Sequence, residues 1–144
     1  MGLSGQKVTL RYTIAAEDFI SAGEASSHVK KTLNKLGIRH ELIKRFTIAM
    51  YEAEINTVIH ASGGEAYVEI TPEKLMVKIS DNGPGIPDIE KAMMEGWSTA
   101  PEHIREMGFG AGMGLPNMKR YADDLAVESE VGVGTVVTIT VYLS

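Results

Sequence analysis

The chain has no cysteine among its 144 residues, which excludes a disulfide framework. It also lacks a charged-then-apolar leader in residues 1–11, and it has no apolar run of the ~18 residues a membrane span requires. Together these absences read as a soluble, cytoplasmic protein with no membrane partner. Cations are in deficit: 14 Lys and Arg against 19 Asp and Glu give a net charge of -5 and a pI near 5.4. Such a chain offers no basic field to a phosphate backbone, so nucleic acid is excluded as the first partner. Aromatic residues are few, and Tyr51 and Trp97 read as packing or loop residues rather than a stacking platform for bases. His28, His40, His60 and His103 show no ligand-like spacing and read as structural or surface side chains. There is no internal repeat, no low-complexity tract and no dividing linker. Neither G-x-x-x-x-G-K-[ST] nor G-x-G-x-x-G occurs, which removes the two commonest glycine-rich nucleotide loops.

What is present fits one domain spanning residues 1–144, with 44% hydrophobic residues for a single core. Val8, Leu10, Tyr12 and Ile14 alternate with polar residues, the pattern of a half-buried strand. Two helices follow, about Ala22 to Leu36 and Glu41 to Ala61, parted at Gly37. Strands are predicted at Ala66 to Thr71, Leu75 to Asp81, Ala126 to Ser129 and Thr135 to Leu143. One-sided polarity in these strands predicts an α+β fold, a two-layer sandwich whose mixed, mostly antiparallel sheet carries helices on one face. Gly96 to Gly112 is a long connection with a short helical stretch at most, the kind of segment that serves as a lid.

Four short tracts carry chemistry. On the second helix, at ~100° per residue, Leu42, Phe46, Ala49, Ala53 and His60 form one apolar group and Ile48, Ile55 and Ile59 another. Glu52 and Asn56 fall between the two, one turn apart, where burial without partners would cost several kcal/mol. Lys44, Thr47, Tyr51 and Glu54 occupy the remaining side, which reads as the solvated face. Next, Leu75, Val77 and Ile79 share a strand face that Asp81 continues, and Asn82-Gly83-Pro84-Gly85-Ile86 follows at once. By itself that aspartate is equally a turn cap. Third, Gly108-Phe109-Gly110-Ala111-Gly112-Met113-Gly114-Leu115-Pro116 opens a helix running to about Asp124, and free N–H groups approached through glycine form an anion site. Last, Gly134-Thr135 leads into Val137, Ile139, Val141 and Leu143, with Thr135 on their apolar face.

The ordered set E-x-x-x-N, D-x-G-x-G, G-x-G-M-G-L and G-T resembles the GHKL superfamily, over residues from about Lys7 to Leu143. That resemblance implies a Bergerat fold binding ATP and Mg²⁺. Asp81 would bind the adenine amino group with support from Thr135, and Gly83, Gly85 and Ile86 would form the first glycine box. Asn56 would hold the metal. Gly108, Gly110, Gly112, Met113, Gly114 and Leu115 would wrap the phosphates, and Arg105 would touch them from the lid. The chain further resembles the anti-sigma-factor and stress-switch serine kinases through Glu90-Lys91-Ala92-Met93, Trp97-Ser98-Thr99 and the stretch Gly108 to Leu115. This implies a homodimer that phosphorylates a serine on a STAS-type antagonist, with Glu52 as general base and a sigma factor as second partner. An alternative in the same family is an ATP-dependent switch with little or no kinase activity, activating or sequestering a partner protein. Where anti-sigma members present an arginine on the first helix, this chain has Ser27-His28-Val29-Lys30, a departure at the sigma-binding position.

Overall fold

The computed structural model describes residues 7–15, 21–60, 63–83, 93 and 114–143, with side chains 59, 60 and 114 left aside. Strand β1 (Val8–Ile14) alternates from half-buried to exposed along its length, as its period-2 pattern dictates. Helix α1 (Glu24–Lys35) buries Ala25, Ser26, Val29 and Leu33, a stripe at helical spacing. It ends in a Schellman turn. Gly37 takes φ +77°, its N–H bonds the Asn34 carbonyl at 3.2 Å, and the Ile38 N–H bonds the Leu33 carbonyl at 3.2 Å.

Helix α2 (His40–His60) is the central element, with Ile43, Phe46, Ala49 and Met50 fully buried. Strands β2 (Gly64–Ile70) and β3 (Lys74–Asp81) form a hairpin. Its turn is closed by Thr71, whose hydroxyl accepts from the Glu73 and Lys74 N–H groups while its own N–H reaches the Lys74 carbonyl. Helix α3 (Gly114–Tyr121) leads into the hairpin of β4 (Asp124–Glu130) and β5 (Gly134–Tyr142), which turns at Gly132 with φ +83°.

The strand order is β1-β2-β3-β5-β4, and every described pairing is antiparallel, where the sequence allowed a mixed sheet. One sheet face supplies Val68, Ile70, Leu75, Val77, Ile79, Ile139 and Val141 to the core, and the helices supply Leu33, Phe46, Met50 and Met118. Helices on one face of an antiparallel sheet make this an α+β sandwich. Truncating a fully buried side chain such as Phe46 to Ala would cost about 3–5 kcal/mol.

Several boundaries differ from the sequence reading, β2 for instance beginning at Gly64 rather than Ala66, and two of the shifts share one cause. The third helix stops at Tyr121 rather than near Asp124, because Asp123 turns its N–H to the Thr140 carbonyl at 2.9 Å and the chain joins the sheet. Accordingly β4 begins at Asp124, two residues before the expected start.

Candidate functional site

Three polar residues of α2, Arg45, Glu52 and Asn56, fall within roughly 40° of one another on the helix. Helix α3 lies along this stripe and runs opposite to α2. Arg45 donates from Nε to the Tyr121 carbonyl at 3.0 Å and from Nη2 to Asp123 Oδ1 at 2.8 Å, holding the C-terminal end of α3. One stretch further on, Asn117 Nδ2 donates to Glu52 Oε2 at 3.2 Å. Asn56 is half-buried and lies about 6 Å beyond Glu52 along the axis, toward the end where Gly114 opens α3. The glutamate and the asparagine therefore face the start of the helix that follows the glycine tract.

Burial pushes the Glu52 carboxyl above the ordinary carboxylate range, and the Asn117 amide pulls it partly back. A half-buried carboxylate with a raised pKa is a stronger proton acceptor than a solvated one, the property a general base needs.

At the end of β3, Asp81 is enclosed by backbone. Its register partners are Gly64 on β2 and Thr135 on β5. A Cβ on Gly64 would collide with the Ser80 carbonyl oxygen, and one on Gly134, whose φ is +149°, would collide with the Asp81 carbonyl oxygen. Asp81 Oδ1 accepts from the Gly83 N–H at 2.8 Å and from the Thr135 N–H at 3.3 Å. The first of these bonds is the turn cap that the D-x-G sequence allows. Among the described residues both bonds fall on one oxygen, and a carboxylate Oδ2 is the kind of acceptor that suits an exocyclic amino group. Thr135 is buried, and its hydroxyl pairs with that of Ser129 at 2.9 Å. This end of β3 thus gathers the Asp81 carboxylate, the Thr135 and Ser129 hydroxyls and glycines in place of bulk.

Leu115 is buried at the start of α3 and Gly114 is its first residue. Gly85, Ile86, Arg105, Gly108, Gly110, Gly112 and Met113 lie outside the described residues, as does the Gly96 to Gly112 connection.

The expected solvated face of α2 is corrected. Lys44 and Tyr51 are exposed, but Thr47 and Glu54 are buried. Thr47 returns its hydroxyl to the Ile43 carbonyl at 2.8 Å. Glu54 caps α1 from outside that helix: Oε2 accepts from the Gly23 and Ala25 N–H groups, and Oε1 from the Ser26 N–H and hydroxyl. Gly23, at the helix start, has φ +95° and no side chain to cap with, so a carboxylate from α2 takes that role. Sequence reasoning missed Glu54, Arg45 and Asn117. Arg45 could have been found from the helical angle it shares with Glu52 and Asn56. His28 bonds the Tyr12 hydroxyl through Nδ1 at 2.6 Å, a structural contact.

Residues 41–144 match the family of histidine kinase-, DNA gyrase B- and HSP90-like ATPases. The chain is 33% identical over 122 residues to the serine/threonine-protein kinase RsbT of Bacillus subtilis, covering 82% of this chain and 84% of that one. It is 36% identical over 108 residues to the anti-sigma F factor of Caldanaerobacter subterraneus, covering 72% of each. In solved structures, the RsbU and RsbW domains of a Mycobacterium tuberculosis protein share the fold with a TM-score of 0.63 at 15% identity, over 94% of this chain and 32% of that one. With its α2 stripe, its enclosed Asp81 and its Gly-Thr turn in the family's order, the chain belongs to the histidine kinase-, DNA gyrase B- and HSP90-like ATPases, among relatives named as a serine/threonine-protein kinase and anti-sigma F factors.

Proposed function

We propose that this protein is an ATP-dependent serine/threonine kinase of the anti-sigma-factor type, a single cytoplasmic domain that works as a homodimer. Its substrate is a serine on a STAS-type antagonist, and its second partner is a sigma factor or another stress-signalling protein. The observation that carries this reading is Glu52, a half-buried carboxyl with a raised pKa on the α2 stripe that faces the start of α3. A module that only binds nucleotide has use for Asp81 and Asn56 but none for a base there. The names of the relatives support the same activity.

In this reading Asp81 accepts the adenine amino hydrogen and Thr135 supports it. The start of α3 with Leu115, and Gly108 to Gly114 before it, cradle the phosphates by their N–H groups. Asn56 offers a neutral oxygen of the kind Mg²⁺ takes beside phosphate oxygens. Bound Mg-ATP supplies the transferable phosphoryl group and charge neutralisation. Glu52 accepts the proton of the attacking serine hydroxyl, and residues 96–112 with Arg105 form the lid.

Glu52→Gln is the decisive variant. It is expected to bind Mg-ATP with nearly wild-type affinity by calorimetry, while phosphate transfer to the antagonist falls by about 10² to 10⁴. Asn56→Ala is expected to weaken Mg-ATP itself. Transfer by Glu52→Gln at the wild-type rate would refute the base assignment and favour an ATP-driven protein switch.

A further inference from the structure

We propose that Asn117 is a positioning residue for phosphoryl transfer, its side-chain amide holding the Glu52 carboxylate in one orientation across the α2–α3 contact. The inference rests on the reading of Glu52 as the base. Asn117 is the fourth residue of α3, past the positions where an asparagine side chain caps a helix start, and asparagine is a weak helix former in the interior. Local preference therefore does not explain it. Leu115 and Met118 on either side are buried and fix the rotation of α3 against the core. The half-buried Asn117 between them is thereby aimed at α2, with its amide nitrogen 3.2 Å from Glu52 Oε2. An ionised carboxylate only accepts, so the NH₂ group must be the one that faces it.

The second tie between the helices keeps this geometry from drifting. Arg45 binds the Tyr121 carbonyl and Asp123 at the other end of α3, so two bridges from one stripe of α2 hold α3 in rotation and in register. Among the described residues Glu52 is bonded through Oε2 alone, which leaves Oε1 to receive the hydroxyl proton. A carboxylate anchored by one oxygen presents the other in a single direction, and catalytic rates respond steeply to such alignment.

Three variants test this, with Mg-ATP as the probe, and with water or a serine-bearing STAS domain as acceptor. Asn117→Leu keeps the volume and removes the donor; Asn117→Ala is the second form should Leu disturb folding; Asn117→Gln restores an amide. The Leu and Ala forms are expected to turn over about 10-fold more slowly at saturating ATP, with unchanged ATP affinity by calorimetry and unchanged melting. The Gln form is expected to recover most of the rate. Wild-type turnover in Asn117→Leu, beside a slow Glu52→Gln, would overturn the role of Asn117 alone. A parallel fall in melting temperature, ATP affinity and rate would make it an ordinary packing contact, which overturns it equally. An inactive wild type, or a Glu52→Gln that matches an active one, would instead end the reading of Glu52 and this inference with it.

Discussion

Glu54 on α2 holds Ser26 on α1 through a single carboxylate oxygen, which receives the Ser26 N–H at 3.1 Å and the Ser26 hydroxyl at 2.6 Å. The other oxygen takes the N–H groups of Gly23 and Ala25. Glu54→Gln keeps the size but can accept through only one atom, leaving buried donors at the start of α1 without partners. A loss of about 1–3 kcal/mol is expected, read as a fall in melting temperature of roughly 3–10 °C. ATP affinity measured well below the new midpoint should stay close to wild type, since Glu54 lies on the side of α2 away from Glu52.

Gly134 is fixed by contact and by conformation together. Its φ of +149° disfavours any side chain, and an added Cβ would meet the Asp81 backbone. Gly134→Ala is expected to cost about 1–3 kcal/mol from the backbone alone and to displace Asp81, so calorimetry should show ATP binding weakened beyond the loss explained by unfolding. ATP binding as tight as wild type would mean that the nucleotide does not depend on this end of β3.

The Arg45 guanidinium and then the Tyr142 N–H hold the Asp123 carboxyl below its usual range. A carboxyl whose folded pKa is depressed adds stability above its unfolded pKa and loses it as pH falls through the folded value. Arg45→Met should therefore melt below wild type at neutral pH, by on the order of 1 kcal/mol for a pair about one-third exposed. The gap should narrow in acid, starting from the ordinary carboxylate range and continuing below it. Melting curves of both proteins between pH 3 and 7, taken as a rough span around that range, give the comparison.

Glu52 works in the opposite sense. Burial raises its folded pKa, so its contribution to stability is fully present below the unfolded value and is lost as pH rises through the folded one. At neutral pH the ionised group opposes folding, and Glu52→Gln should melt level with wild type or a few degrees higher, as variants that relieve a strained active site do. The difference should vanish in acid. A Glu52→Gln that melts well below wild type at neutral pH would show a structural bond rather than a group kept for chemistry.

Much of the architecture was legible because β1 and most of β3 alternate in burial with period 2 and α1 keeps one apolar stripe. Helix α2 resisted that approach because it is covered on three sides, by the sheet, by α1 and by α3. A wheel assuming one solvated face therefore sent Thr47 and Glu54 to water, although each finds its partner in the fold. Glu54 meets residues 28 to 31 positions away, at a helix start that offers no side-chain cap of its own. Nothing local encodes that meeting. Asn117 was hidden for the same reason, since its role depends on which way α3 runs along α2. The pairing of Asp81 with Thr135 was legible as placement alone, because each sits near a terminus of its strand and shares the face of that strand's apolar residues.

The register that joins Asp81 to Thr135 spans 54 positions of sequence, and this has a kinetic meaning. Pairing β3 with β5 closes a long loop before its contacts repay the lost chain entropy, so this central pairing is expected to be a slow step of folding. The two residues expected to grip one adenine are brought together by that same closure. A nucleotide that bridges them binds only the closed chain, so it should slow unfolding and raise the midpoint in proportion to the logarithm of its concentration. Refolding should gain much less if the loop closes after the transition state, because a ligand that needs both strands has nothing to hold until they meet.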